Sequence, residues 1–194
     1  MEGFPSGTSV PKRPITKHTG SAMSWKPSIE ELRQRERLAE KMGGEEPVSR
    51  QRGRGKLTVR ERVAFMADPG SFQEIGKISG RAVYDENHEL EDFLPANMVI
   101  GRAKVGGRPV VLLGDDFTVR GGAADASIRG KMLMAEKMAG EYRMPLIRLV
   151  DGTGGGGSIK MLDKDPRTYI PETPGWELVV DNLSEVPVVA LALG

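Results

Sequence analysis

Residues 109–151 read PVVLLGDDFTVRGGAADASIRGKMLMAEKMAGEYRMPLIRLVD, and this stretch decides the fold. It opens on an apolar run, Val110–Leu113, and closes on another, Pro145 to Asp151. Between them Ile128, Met132, Ala135, Ala139 and Tyr142 recur at the spacing of one helical face, which predicts a helix over about 125–142. Met132, Met134 and Met138 read as core filler rather than a cofactor box. A parallel pair needs a crossover, usually a helix, and a strand, a helix and a second strand in that order supply one. Upstream, Asn97 to Val105 is a strand candidate, and Gly106-Gly107 is a two-residue turn that returns the chain along Pro109 to Gly114. Downstream, Pro166, Pro171 and Pro174 lead to a short helix carrying Trp176, Val179, Val180 and Leu183, then to an apolar strand, Val186 to Gly194. Strands that are apolar on both sides and alternate with helices predict an α/β domain with a mostly parallel, covered sheet.

Ahead of this domain the pattern is helical. Residues 1–24 mix Gly, Pro, Ser, Thr and Lys without period and are expected to be a disordered tail. A helix should begin at Ser28, with Glu31 as its capping-box partner and Ile29, Leu32, Ala39 and Met42 on one face, and end at Gly43-Gly44. Another should begin at Thr58, with Glu61 as reciprocal cap and Val59, Val63 and Met66 on one face, and end at Asp68-Pro69-Gly70. The expected organisation is a tail over 1–24, a helical extension over 25–68 and the α/β domain over 69–194. The chain stops on an apolar strand that would need a covering crossover, so a fragment with an incomplete domain is expected.

The chain has 194 residues, no Cys, and two His, His18 and His88. Disulfides and thiolate chemistry are excluded, and no metal site is expected. No apolar run approaches the roughly 18 residues that cross a bilayer. The start lacks the apolar core of a signal peptide, so a cytoplasmic protein without membrane contact is expected. The net charge of +1 hides an asymmetry: residues 1–62 carry 14 Lys/Arg against 8 Asp/Glu, and residues 63–194 carry 14 against 19. Arg50, Arg52, Arg54, Lys56, Arg60 and Arg62 have only Glu61 among them. On composition such a block reads as a solvated face; its place at a helix start, where N–H groups are free, makes an anion site more plausible than charge alone does. No aromatic residue interleaves it, which argues against stacking on nucleic-acid bases.

Asp151 to Lys160 reads DGTGGGGSIK. Gly152, Gly154 and Gly157 fit the spacing of a dinucleotide loop, but no long helix follows, and no Gly-Lys-Ser/Thr ends the run as a phosphate loop requires. The alternatives are a surface loop or a nest of bare N–H groups that holds an anion or an oxyanion. Its position after a buried strand, where α/β sheets bind ligands, favours the nest, with Gly154, Gly155, Gly156 and Gly157 as donors.

Several motifs together resemble the carboxyltransferase (β) subunits of biotin-dependent acyl-CoA carboxylases. Arg52–Arg62 is similar to the family's ARGKLTARER opening, and Asp68-Pro69-Gly70-Ser71-Phe72 with Glu74 follows it. Gly106–Val110, Asp116–Gly122, Met144–Asp151 with the glycine run, and Val186–Val189 come in the family's order. The resemblance implies a crotonase-like (ClpP/crotonase) fold, with this chain as most of the first of two such domains. It implies transfer of a carboxyl group from carboxybiotin, on a partner carrier, to the α-carbon of a coenzyme A thioester through an enolate held by Gly N–H groups. It further implies substrate contacts at Arg54, Lys56, Arg60, Phe117, Gly121, Gly122 and Ala123, no metal, a biotin carboxylase/biotin carrier partner, and a homo-oligomer. Thr153 stands for the family's Ser, Gly156-Gly157-Ser158 for Ala-Arg-Ile, and Arg120 for Phe, so the acyl group is left open. The family's second glycine pair would lie beyond Gly194, so the piece alone is expected to be inactive. The alternatives are a non-catalytic assembly module and a crotonase-fold acyl-CoA hydratase or isomerase.

Overall fold

The computed structural model describes residues 24–123, 128–152, 163 and 175–194; the tail over 1–23 lies outside them. Three helices come first, α1 (Lys26–Glu40), α2 (Glu45–Gly53) and α3 (Val59–Met66). Seven strands are described: β1 (Gln73–Ile75), β2 (Gly80–Tyr84), β3 (Leu90–Pro95), β4 (Met98–Val105), β5 (Arg108–Asp115), β6 (Leu146–Val150) and β7 (Val188–Ala192). Helix α4 (Arg129–Tyr142) connects β5 to β6, and α5 (Trp176–Glu185) precedes β7. The main sheet runs β1-β4-β5-β6-β7, and β2 and β3 form a separate pair.

Strands β5, β6 and β7 are parallel, while β1–β4 and β4–β5 are antiparallel. The sheet is therefore half antiparallel, not mostly parallel. The cause is local. Gly106 and Gly107 both take positive φ, +57° and +79°, the two-residue geometry that turns a strand straight back on itself. Asp68 holds that turn, its two carboxylate oxygens accepting the N–H groups of Gly106 and Gly107 at 2.9 and 2.7 Å.

Register assigns each residue a face. Met98, Ile100, Val111, Leu113 and Leu146 pack with Ala135, Met138 and Ala139 of α4 and with Val186. On the other face Val63 of α3 packs on Ala103, Val110, Leu112 and Leu149. Each fully buried Val, Leu or Ile among them contributes roughly 1.5–3 kcal/mol. The predicted stripe of α4 holds in its middle, where Ala135 and Ala139 are buried, and runs out at its ends, where Ile128 and Tyr142 are exposed. Met132 and Met138 fill the core as expected, whereas Met134 is exposed. Helix α5 buries Val179 and Asn182 and leaves Trp176, Val180 and Leu183 outside, and β7, expected to be buried, is an exposed strand that among the described residues pairs only with β6.

The extension departs from expectation in two ways. Helix α1 begins at Lys26 with Pro27 in its first turn; Ser28 is already inside it and makes no cap, and Ile29 and Leu32 are exposed. It is fastened to the β2–β3 pair by polar contacts instead: Gln34 Nε2 donates to Leu90 O at 3.1 Å, and Tyr84 OH to Glu31 at 2.8 Å. Helix α2 is unexpected, because EEPVSRQRG has no apolar period to betray it. Helix α3 is as predicted. Thr58 Oγ1 accepts from Glu61 N, and the Glu61 carboxylate accepts Thr58 N at 2.7 Å.

Gly43 does more than stop α1. Its N–H donates to Thr118 Oγ1 at 2.9 Å, and a Cβ at this position would stand 1.9 Å from Thr118 O. The α1–α2 junction thus rests directly on the loop after β5. Gly43→Ala is expected to destabilise the protein by about 1–3 kcal/mol, the usual cost of forcing an extra methyl into a packed site. Urea denaturation measures this; an unchanged midpoint would mean that the junction does not sit on Thr118.

Candidate functional site

The carboxyl ends of β5 and β6 lie side by side, and each carries an aspartate into its loop, Asp115-Asp116 and Asp151. The first loop is built by its own side chains. Thr118 N and Oγ1 both donate to Asp116 Oδ1, at 3.0 and 2.5 Å, and Asp116 N donates to Asn97 O at 2.9 Å. Buried Asn97 fastens the far end, Nδ2 donating to Ala123 O at 2.9 Å. Between these anchors Gly121 and Gly122 take φ of +66° and +67°. A Cβ on Gly122 would stand 2.9 Å from both Asp151 O and Gly152 Cα. The two glycine segments singled out in the sequence therefore meet main chain to main chain.

Below this contact lies a cluster of charges. Asp151, with a side chain 2% exposed, pairs with Arg62 of α3, 9% exposed, at 2.6 Å between Oδ2 and Nη1, though without hydrogen-bond alignment. Removing either partner of such a buried pair strands the other, at a cost of roughly 3–5 kcal/mol. Asp115 Oδ2 accepts Asp151 N at 3.1 Å. Burial pushes the carboxyls of Asp115 and Asp116 above their ordinary range. Arg60 grips Glu74 of β1 with two contacts, 2.8 and 3.1 Å. Lys131, in the first turn of α4, is buried, and loss of water pushes its amine down to about 8; Arg60 adds to this, while Glu74 and Asp116 oppose it. On the far side buried Glu136 takes Arg148 Nη2 at 2.6 Å and Asn182 Nδ2 at 2.8 Å, tying α4, β6 and α5 together.

The sequence-predicted residues fall into three groups. Phe117, Gly121, Gly122 and Ala123 belong to the loop that meets Asp151-Gly152. Gly154, Gly155, Gly156 and Gly157 lie outside the described residues. The basic cluster is mostly spent: Arg50 contacts Glu46, Arg52 pairs with Glu61 at 2.7 Å, Arg60 with Glu74 and Arg62 with Asp151. Among the described residues that leaves Arg54, exposed at the end of α2, and Lys56, half-buried before α3, without an ion pair. The start of α3 is not the open anion site expected, because the Glu61 carboxylate already occupies it. Sequence reasoning missed the roles of Arg62, Asp115, Asn97 and Lys131. Arg62 and Asp151 were both conspicuous, but nothing in a linear chain pairs residues so far apart.

The carboxyl transferase domain model matches residues 50–164. The chain belongs to the carboxyl transferase domain family. It is 35% identical over 136 residues to a propionyl-CoA carboxylase carboxyltransferase subunit of Haloferax mediterranei, covering 68% of this chain and 26% of that one. To the mitochondrial methylcrotonoyl-CoA carboxylase β chain of Arabidopsis thaliana it is 34% identical over 159 residues, covering 78% and 25%. The chain thus spans about a quarter of the length of these curated relatives. Among solved structures it is similar to transcarboxylase 12S, described as a hexamer with methylmalonyl-coenzyme A bound, at a TM-score of 0.63 and 26% identity over 88% of this chain and 32% of that one. The fold class is the crotonase-like α/β fold of these carboxyltransferases, with a helical N-terminal part. Among the described residues no helix is long and apolar enough to cross a membrane.

Lys131 gives the family fold a pH signature. Between about pH 8 and its ordinary 10.5 the amine is uncharged when folded and charged when unfolded. Its contribution to stability is therefore complete above that window and is lost as pH falls through 8. The stability difference between wild type and Lys131→Met is expected to move toward the wild type from pH 8 to 10. Denaturation curves of both proteins across that range decide it; a pH-independent difference would mean that the amine keeps its ordinary affinity for protons.

Proposed function

We propose that this chain forms the acyl-CoA side of a carboxyltransferase of the biotin-dependent acyl-CoA carboxylase type. One observation carries the reading: Gly122 and Asp151-Gly152 meet at the carboxyl ends of parallel β5 and β6, where α/β sheets bind their ligands. Carboxybiotin, on a partner carrier, supplies the carboxyl group, and the residues assigned here serve the thioester alone.

In this reading Gly154–Gly157 present N–H groups to the thioester oxygen. In an enolate of that thioester negative charge sits on this oxygen, and donors fixed in advance would stabilise it more than they stabilise the resting thioester. Gly121 and Gly122 add bare main chain beside it, with no side chain to fill the space. Phe117 and Ala123 frame the loop. Arg54 and Lys56, the two cations of the basic segment without an ion pair among the described residues, contact the phosphates of coenzyme A. Arg60 is committed to Glu74, so its part is to hold the charge cluster beside Asp116 rather than to bind phosphate alone. The exposed face of Trp176, Val180 and Leu183 supports assembly with further copies and with a biotin carboxylase/biotin carrier subunit.

Calorimetry with propionyl-CoA tests the assignment. Wild type is expected to bind, and the double variant Arg54→Ala/Lys56→Ala to bind about 3- to 30-fold more weakly, as two solvent-screened charge contacts would give, with a shallower dependence on salt. Absence of binding by the wild type would sink the acyl-CoA reading; equal affinity in the variant would sink the phosphate contacts.

A further inference from the structure

Asp151 joins β6 to the glycine run, and four elements converge on it. Asp115 at the end of β5 accepts its N–H at 3.1 Å. Gly122 abuts its carbonyl so closely that a Cβ there would stand 2.9 Å away. Leu193, just past β7, donates its N–H to the preceding carbonyl, Val150 O, at 2.9 Å. Arg62, from α3, supplies the cation at 2.6 Å. Arg62 is not free to follow Asp151 if the loop drifts. Its helix is fixed at the start by the Thr58–Glu61 box, and by Val59, whose Cγ2 would lie 2.6 Å from a Cβ built on Gly114 of β5. Val63, one residue on, sits in the core.

We propose that Arg62 is a positioning residue for the acyl-CoA site: through Asp151 it sets where the chain leaves β6 and so seats Gly152 against Gly122. The proposal rests on the function proposed above. Among the described residues Arg62 makes no hydrogen bond or ion pair with Gly121, Gly122 or Gly152, and its ion pair is with Asp151, through which it acts. A buried ion pair is seldom more stable than an apolar pair of the same size, yet parting its two charges is costly. An apolar contact would tolerate a slide of Asp151 along α3. A charge with almost no water to fall back on does not. Gly122 lies so close that a Cβ there would stand 2.9 Å from Asp151 O, so such a slide is felt by the neighbouring loop.

The test compares wild type, Arg62→Met, Asp151→Leu and the double variant. Each is measured for Tm, for amide exchange at Gly122 and Gly152 by NMR, and for propionyl-CoA affinity by calorimetry. The single variants are expected to lose Tm. The double variant, with no stranded charge, is expected to regain most of it. Exchange at the two glycines is nevertheless expected to stay faster than in wild type, and affinity to stay about tenfold or more weaker, as misplaced binding groups give. If exchange and affinity recover together with Tm, Arg62 only stabilises the fold and the proposal is overturned. Should the double variant not fold, Arg62→Lys decides, since lysine keeps the charge but not the guanidinium's shape and reach. Native Tm with fast exchange at Gly122 and Gly152 supports positioning, and native values of both overturn it. If wild type itself binds no propionyl-CoA, the acyl-CoA reading fails, while the exchange contrast still judges Arg62.

Discussion

Asp151 stands where β6 leaves the sheet, and its carboxylate has almost no access to water. A charge in that position must be neutralised by a proton or matched by a cation, because hydration no longer offsets its burial. The match is Arg62, which belongs to a helix outside the sheet. That single requirement links the extension to the sheet. Helix α3 has to lie across β5 for its arginine to reach, Gly114 has to lack a side chain for Val59 to fit, and Val63 then closes the core on that face. The segment most suggestive of a separate extension is thus bound to the ends of the strands that carry the candidate site.

Glycine serves this protein mainly by letting main chains approach. Gly43 admits the carbonyl of Thr118, and Gly122 admits Asp151 and Gly152. Both contacts converge on the Asp116–Ala123 loop, so the helical junction on one side and the β6 loop on the other confine it. Its internal bonds, from Thr118 to Asp116 and from Asn97 to Ala123, complete the restraint. A loop held in this way offers main-chain groups in fixed directions, as the proposed thioester site would require.

The elements that were legible in the sequence are those governed by neighbours along the chain. The Thr58–Glu61 box lies within one helical turn, the Gly106-Gly107 turn within two residues, and the middle of α4 repeats its apolar positions over several turns. The short polar helix α2 gave no such signal, and the outward side of α5 looked apolar enough to be core. The basic cluster misled for a related reason. Glu74 and Asp151, which neutralise Arg60 and Arg62, lie on β1 and at the end of β6, and no count of local charge includes them.

Strands β4 to β7 with the helices between them, the hairpin, the cap of α3 and the family motifs were legible in the sequence, because each depends on residues close together in the chain or on their order. Packing between distant segments decided that β1 lies antiparallel against β4, that Arg60 and Arg62 are paired, and that Gly122 has no room for a Cβ beside Asp151. These depend on which distant residues share a buried volume. There the cost of an unmatched charge and the room left by a missing Cβ select the arrangement, and neither quantity exists until the chain has packed.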